Sequence, residues 1–192
     1  MLISRDIAFK MIGGGMETKD AIYIVVTTAE PKIHSRKKIS EGSKMVCKAQ
    51  IRAEAGMFSS DYKNQIEKMR VGSRVIILQG GYAMYRKKYG AVRLIAAGVV
   101  KGNANKLQSS DIFRNLELWM TMRKWYKNWP TANNSSDELI VHYNLRKARS
   151  PLPKPKEIIM NPKTKVLELK PNTSVYEKMD EWWRDVTKQW YY

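Results

Sequence analysis

The sequence has few of the residues that build metal centres and disulfide frameworks. It contains one cysteine, Cys47, and two histidines, His34 and His142, among 192 residues. A single cysteine cannot form an internal disulfide, and these three side chains do not supply the four ligands of a structural zinc site. We therefore expect no metal and no cofactor, and we interpret Cys47 as a small core residue.

Long apolar runs and acidic residues are also scarce. No stretch approaches the roughly 18 consecutive apolar residues of a membrane-spanning helix, and residues 1–16 lack the pattern of a secretory signal. The 35 Lys and Arg outnumber the 18 Asp and Glu, which gives a net charge of +17. This excess favours a polyanionic partner, with nucleic acid the first to test and anionic lipid headgroups the alternative. A nuclear location is expected, with the cytoplasm as the alternative.

The first half of the chain has the patterns of β-strands. After the turn at Gly13-Gly14-Gly15, residues 21–28 are rich in β-branched side chains and predict a first strand. From residue 44 to residue 54 apolar and polar residues alternate, with Val46 as the only break, which predicts a second strand with three cations on its outer face. Three further strands are predicted at 57–62, 74–79 and 91–100. A short helical stretch is predicted at 63–69, between the first and second of these strands.

Beyond Gly102 the apolar residues follow a helical spacing. A helix capped by Ser109 or Ser110 is predicted to end before Pro130. Three prolines interleaved with lysines then predict an extended basic linker, and a last helix begins near Ser174, whose spacing to Glu177 matches a capping box. The predicted division is a leader (1–17), a barrel (18–105), a helical extension (106–146), the Pro-rich linker (147–170) and a C-terminal aromatic helix (171–192).

The order of the five strands, with a helix after the third, resembles that of the oligonucleotide-binding (OB) fold. Segment 71–83, a glycine turn followed by an apolar strand and Gly80-Gly81-Tyr82, is similar to the same region of single-stranded-DNA-binding and replication-protein-A-like proteins. The resemblance implies a mainly β fold, a five-stranded OB-type barrel followed by C-terminal α-helices, with single-stranded DNA as the ligand. Another small antiparallel barrel or sandwich would produce the same alternation.

A single-strand site needs cations that follow phosphates and flat rings on which bases stack. Both occur in the predicted second strand and in the hairpin before the fifth strand, and the resemblance adds an aromatic ring from the third strand. The alternative for the tyrosines is packing against the barrel. The candidate nucleic-acid-binding residues are Lys44, Lys48, Arg52, Phe58, Tyr82, Tyr85, Arg86, Lys87, Lys88, Tyr89 and Arg93.

Two apolar helix faces are candidates for contact with other protein subunits. The resemblance to replication-protein-A-like and telomere-capping heteromers implies pairing through the first of these helices, and tryptophans are frequent anchors at interfaces. The alternative for both helices is packing on the chain's own barrel. The candidate partner-binding residues are Phe113, Leu116, Trp119 and Met120 of the first helix, and Met179, Trp182, Trp183, Val186 and Trp190 of the second.

Catalytic patterns are weak, so no enzymatic activity is expected. Gly13-Gly14-Gly15 is not followed by the Lys-Ser/Thr of a phosphate loop, and neither histidine has a recognisable nucleophile or carboxylate context. The sequence predicts a nucleic-acid-binding subunit, with single-stranded DNA favoured over RNA, of a genome-maintenance, replication or telomere-protection complex. The alternatives are a scaffold subunit that binds protein partners only, and a basic viral or membrane-surface structural protein.

Overall fold

The structure, a computed structural model, describes residues 20–27, 36–80, 93–126, 129–131, 137–159 and 164–188, with side chains of the first helix described from residue 41. Six strands lie within these residues: β1 (Ile22–Thr27), β2 (Ala55–Phe58), β3 (Arg74–Gln79), β4 (Arg93–Lys106), β5 (Leu139–Pro153) and β6 (Val166–Leu169). The helices are α1 (Arg36–Ala53), α2 (Lys63–Ile66), α3 (Ser109–Arg114), α4 (Leu116–Trp125) and α5 (Ser174–Lys188), with a 3-10 turn at Ser60–Tyr62.

The strands form one mixed sheet in the order β2-β5-β4-β3-β1-β6. The neighbours β1 and β3 are parallel, and the other neighbouring pairs are antiparallel. A parallel pair needs a long crossover, which the stretch containing α1 and β2 supplies. Among the strands of the described residues, β2 and β6 are the two edges, so this sheet is open and is not closed into a barrel. The predicted mainly β fold with a five-stranded OB-type barrel is therefore wrong.

Helix α1 lies where the second strand was predicted. Its buried residues include Ser43, Val46, Cys47 and Gln50, whose spacing of three and four is that of a helix face, whereas Met45 is exposed. Val46, the one break in the alternation, is fully buried. A helix that packs on both the sheet and α4 buries a wider face than an amphipathic strand does. The alternating segment was too short to separate the strand period of two residues from the helix period of about 3.6 residues.

Two strands extend into stretches predicted as helix or linker. β5 reaches Pro153, and β6 lies entirely within 147–170. The prolines are compatible with β5 because β2 pairs only with residues 139–142, so the later part of β5 has a described strand neighbour on one side alone. By contrast, the strands predicted at 21–28 and 74–79 are present as β1 and β3.

Three clusters of buried residues within the described ranges place α5 and α1 on opposite faces of the sheet. α5 covers one face, where Trp182 packs near Ile24 and Ile76. Cys47 of α1 packs on the other face beside Ile77. A third cluster joins α1 to α4 and β2, with Val46, Ala49, Met57, Trp119 and Met122 among its members. These contacts fix α1 and α4 side by side, with β2 packed against both helices.

Candidate nucleic-acid interface

Three of the predicted cations form a line along the outer face of α1. Lys44, Lys48 and Arg52 are exposed and four residues apart, so their side chains leave the same side of the helix in steps of about 6 Å. We call them the α1 cationic stripe. They share a surface as predicted, although the element is a helix. Arg52 also donates a 2.8 Å hydrogen bond to Glu117 of α4, in an exposed ion pair that is weak in water.

The other predicted nucleic-acid-binding residues are placed differently. Phe58 is 5% exposed and belongs to the cluster that contains Cys47, so it is not an open stacking surface. Arg93 is exposed at the start of β4. The hairpin residues lie outside the described part of the chain: Tyr82, Tyr85, Arg86, Lys87, Lys88 and Tyr89.

A cavity of about 390 Å³ opens where the stripe ends, and we call it the bulge cavity. In the sheet, Val100 pairs with Tyr143 and Gly102 pairs with His142, which leaves Lys101 as an extra residue in β4. Such a β-bulge redirects the side chain of the inserted residue. The lining residues are Ala53, Glu54, Lys101, Gly102, Arg114, His142 and Tyr143.

Basic side chains reach the bulge cavity from three elements: Lys101 from β4, Arg114 from the end of α3, and His142 from β5. No sequence pattern indicated this group. The three residues are far apart along the chain, they belong to no motif, and the strand register that brings them together cannot be read from local spacing.

Glu54 is the acidic residue of the cavity lining, and it holds the turn between α1 and β2. Its φ is +48°, an uncommon value for a residue other than glycine. The backbone carbonyl oxygen of Glu54 accepts a 2.7 Å hydrogen bond from the N–H of Tyr143. Its carboxylate accepts a second bond, 3.2 Å long, from the N–H of Leu145. Glu54, which directly precedes β2, thus extends the hydrogen bonding between β2 and β5 by one residue.

Two buried groups beside this surface have raised pKa values. Burial raises the pKa of the Cys47 thiol to about 12, against a smaller opposing effect of the charge on Lys147, so the thiol is protonated at neutral pH. Cys47 is 1% exposed, as expected for a core residue. Burial also raises the pKa of the Tyr143 hydroxyl, which has no hydrogen-bond partner among the described residues.

The two apolar helix faces differ in their exposure. Phe113, Leu116 and Met120 are 80%, 49% and 61% exposed, whereas Trp119 is buried against α1. In α5, Met179, Trp182 and Val186 are buried on the sheet of the same chain, so α5 folds back instead of offering these residues to a partner. Trp183 is partly buried, and its Nε1 donates a 2.8 Å hydrogen bond to the carbonyl oxygen of Gly98. Trp190 lies outside the described residues.

The described ranges contain neither a candidate metal-binding cluster nor a helix suited to crossing a membrane. No group of three or more His, Cys, Asp or Glu side chains there could hold a metal ion. Likewise, none of the helices in these ranges has the length and apolar character needed to cross a membrane.

Comparisons with known proteins include two distant structural likenesses. A hypothetical protein from Leishmania major is 11% identical, with a TM-score of 0.41, and the match covers 88% of this chain and 96% of that one. The human THYN1 protein, solved in complex with DNA containing 5-methylcytosine, is 13% identical with a TM-score of 0.30, over 69% of this chain and 70% of that one. No family model and no curated protein matches the chain.

Proposed function

We propose that this protein binds nucleic acid along the α1 cationic stripe and into the bulge cavity. The observation that carries the proposal is the alignment of Lys44, Lys48 and Arg52 on one exposed helix face, in a chain with a net charge of +17. A line of cations at about 6 Å spacing suits a phosphate backbone, and each neutralised phosphate releases counterions.

The stripe and the cavity are continuous along the chain. Arg52 is followed directly by Ala53 and Glu54, which line the cavity, and beyond them lie Lys101 and Arg114. The surface also contains acids, since Glu117 pairs with Arg52 and the Glu54 carboxylate accepts the Leu145 N–H. The Glu117 carboxylate therefore already has an ionic partner, and the two lysines of the stripe are left to face the ligand.

Single-stranded DNA is the proposed form of the ligand. Phe113 is 80% exposed and directly precedes Arg114 of the cavity lining. An exposed ring beside a cation suits an unpaired base, because stacking on an aromatic side chain is worth about 1 to 3 kcal/mol per base. A duplex keeps its bases inside and would leave Phe113 unused. We also propose that the protein has a non-catalytic role and a nuclear location.

The test is a fluorescence-anisotropy titration of the full chain with single-stranded DNA, single-stranded RNA and duplex DNA at two salt concentrations. For the wild type we expect salt-sensitive binding that is tightest for single-stranded DNA. In the variant Lys44→Gln/Lys48→Gln/Arg52→Gln the slope of log K against log salt should become shallower by about 2, since each phosphate contact to a single strand contributes about 0.7.

The matched control removes the same charge elsewhere on the surface. Lys68, Arg70 and Lys156 are exposed and lie outside both the stripe and the cavity lining. Their triple glutamine variant should keep a slope close to that of the wild type. If both variants reduce the slope equally, net charge drives binding and the stripe does not. If none of the three nucleic acids binds in a salt-sensitive way, the proposed function is wrong.

A protein-binding subunit is the second candidate, and the exposure of Phe113, Leu116 and Met120 favours it. These residues follow a spacing of three and four on the solvent side of α3 and α4. A scaffold would bind no nucleic acid and would lose its partner in the variant Leu116→Ser/Met120→Ser. Crosslinking of the wild type and this variant in cells, compared with the anisotropy result, separates the two candidates.

A further inference from the structure

The bulge cavity differs from the α1 cationic stripe in shape and in the origin of its charges. The stripe is an open line on one helix, which suits successive phosphodiesters with one negative charge each. The cavity is a recess of about 390 Å³, and its basic residues come from β4, α3 and β5. A recess of this size is within the range of small-ligand pockets, and it is larger than a lone phosphate requires.

We infer that the bulge cavity holds the phosphorylated end of a nucleic-acid strand whose backbone follows the α1 cationic stripe. This inference rests on the proposed function and names the chemical group that the cavity recognises. A terminal phosphomonoester carries a charge of about −1.5 to −2 near neutral pH and presents three acceptor oxygens. Lys101, Arg114 and His142 line the cavity from three different elements, and each has a side chain that can donate a hydrogen bond, which is more than a single charge on a phosphodiester requires.

The β-bulge is the structural reason for this convergence. Lys101 is the inserted residue between the pairs Val100–Tyr143 and Gly102–His142, so it lies directly beside His142 on the neighbouring strand. Gly102 keeps the recess open, because a Cβ at that position would meet only His142, at 3.8 and 4.0 Å. A larger side chain at position 102 would therefore fill part of the cavity without striking the backbone.

The negative charge of Glu54 should repel an anion in the cavity. Removing this charge should therefore strengthen binding, whereas removing a basic residue should weaken it. One of its carboxylate oxygens accepts the Leu145 N–H, and the residue lines the same cavity as Lys101 and Arg114. Glu54→Gln keeps an oxygen that can accept this bond and removes the negative charge. A strand with a terminal phosphate should then bind several-fold more tightly than it binds the wild type.

The experiment measures affinity for three internally labelled oligothymidylates that carry a 5′-phosphate, a 3′-phosphate or hydroxyls at both ends. The wild-type chain should bind one of the phosphorylated strands about tenfold more tightly than the hydroxyl strand, as expected for a charge-assisted hydrogen-bonding site. Arg114→Gln, His142→Gln and Gly102→Val should each weaken the binding of that phosphorylated strand more than the binding of the hydroxyl strand, so that the preference becomes smaller. Lys68→Gln, outside the cavity lining, is the matched control and should keep the preference.

Each other outcome identifies what has failed. Equal affinity for all three strands, with the stripe variant still weakened, would overturn the inference and leave the proposed function standing. No binding of any strand would overturn both. Thymidine monophosphate is the probe for a free nucleotide: if it binds and Arg114→Gln abolishes its binding while strand ends make no difference, the cavity is a mononucleotide site and the strand-end inference is wrong.

Discussion

Arg74 and Asp180 form a largely buried ion pair that ties the start of β3 to the middle of α5. Their side chains are 16% and 11% exposed. The Arg74 guanidinium also bonds the Tyr176 hydroxyl and the carbonyl oxygen of Asp20, and its central carbon lies 5.6 Å from the ring centroid of Trp183. Asp180 in turn accepts a 3.0 Å hydrogen bond from Arg184. This network locks the helix that covers one face of the sheet.

Replacing Arg74 should destabilise the fold strongly. Arg74→Met keeps much of the apolar stem. Among the described residues it leaves the buried Asp180 carboxylate with the more exposed Arg184 as its one ionic partner, and breaking a buried pair in this way costs about 3 kcal/mol. The measurement is the free energy of unfolding in urea. Arg184→Met is the control, because the Arg184 side chain is 45% exposed and solvent screens its pair with the same carboxylate, which should contribute less than about 1 kcal/mol. If both variants lose the same unfolding free energy, burial does not make the Arg74 pair stronger than the Arg184 pair.

Gly98 should not tolerate any side chain. A Cβ built at this position would lie 1.9 Å from the carbonyl oxygen of Asn144 on β5, which is backbone and cannot rotate away. Gly98→Ala must separate β4 from β5, and we expect a loss of about 2 kcal/mol or more, seen as a lower midpoint of thermal unfolding. Gly102→Ala, where the nearest atom is at 3.8 Å, should change stability by no more than about 0.5 kcal/mol. A mild effect at Gly98 would contradict the close approach of these strands.

Trp182 and Phe113 were both predicted to bind a partner, and their substitutions should have opposite consequences. Trp182 is 7% exposed, on the face of α5 that packs on the sheet, so Trp182→Ala should cost about 3 to 5 kcal/mol of unfolding free energy. Phe113 is 80% exposed, so Phe113→Ala should change stability by less than about 0.5 kcal/mol. Circular dichroism during urea unfolding measures both. A stable Trp182→Ala protein would argue against the docking of α5 on the sheet.

Stability should fall as pH rises toward neutrality because of Glu138. Burial, with a further effect of Asp61, raises the pKa of this carboxyl to about 7, from an ordinary value of 4.5. The folded chain therefore holds the proton more tightly than the unfolded chain does, and the stabilisation present below about pH 4.5 is lost as pH rises through about 7.

The neutral variant Glu138→Gln should remove this dependence. Above the folded pKa it should exceed the wild type in unfolding free energy by about 2 kcal/mol, whereas well below pH 4.5 the two proteins should be nearly equal. Unfolding in urea across this pH range is the measurement. A constant difference at every pH would exclude titration of Glu138 as the cause.

The location of the cations could be predicted from the sequence more securely than the element that carries them. Lys44, Lys48 and Arg52 are spaced by four residues, which is two periods of a strand and close to one turn of a helix. The three side chains share a face in either element. Only the burial of Val46 with Cys47, against α4 and the sheet, selects the helix.

The sequence by itself determined the strands β1 and β3, the core position of Cys47 and the basic character of the surface, because these depend on local composition and period. Only the tertiary structure decided that the sheet is open, that residues as late as 166–169 join it beside β1, and that α5 folds back on its own chain. The grouping of Lys101, Arg114 and His142 depended on it as well. The physical reason is that strand pairing and register join residues distant along the chain, and local spacing carries no record of which strands will meet.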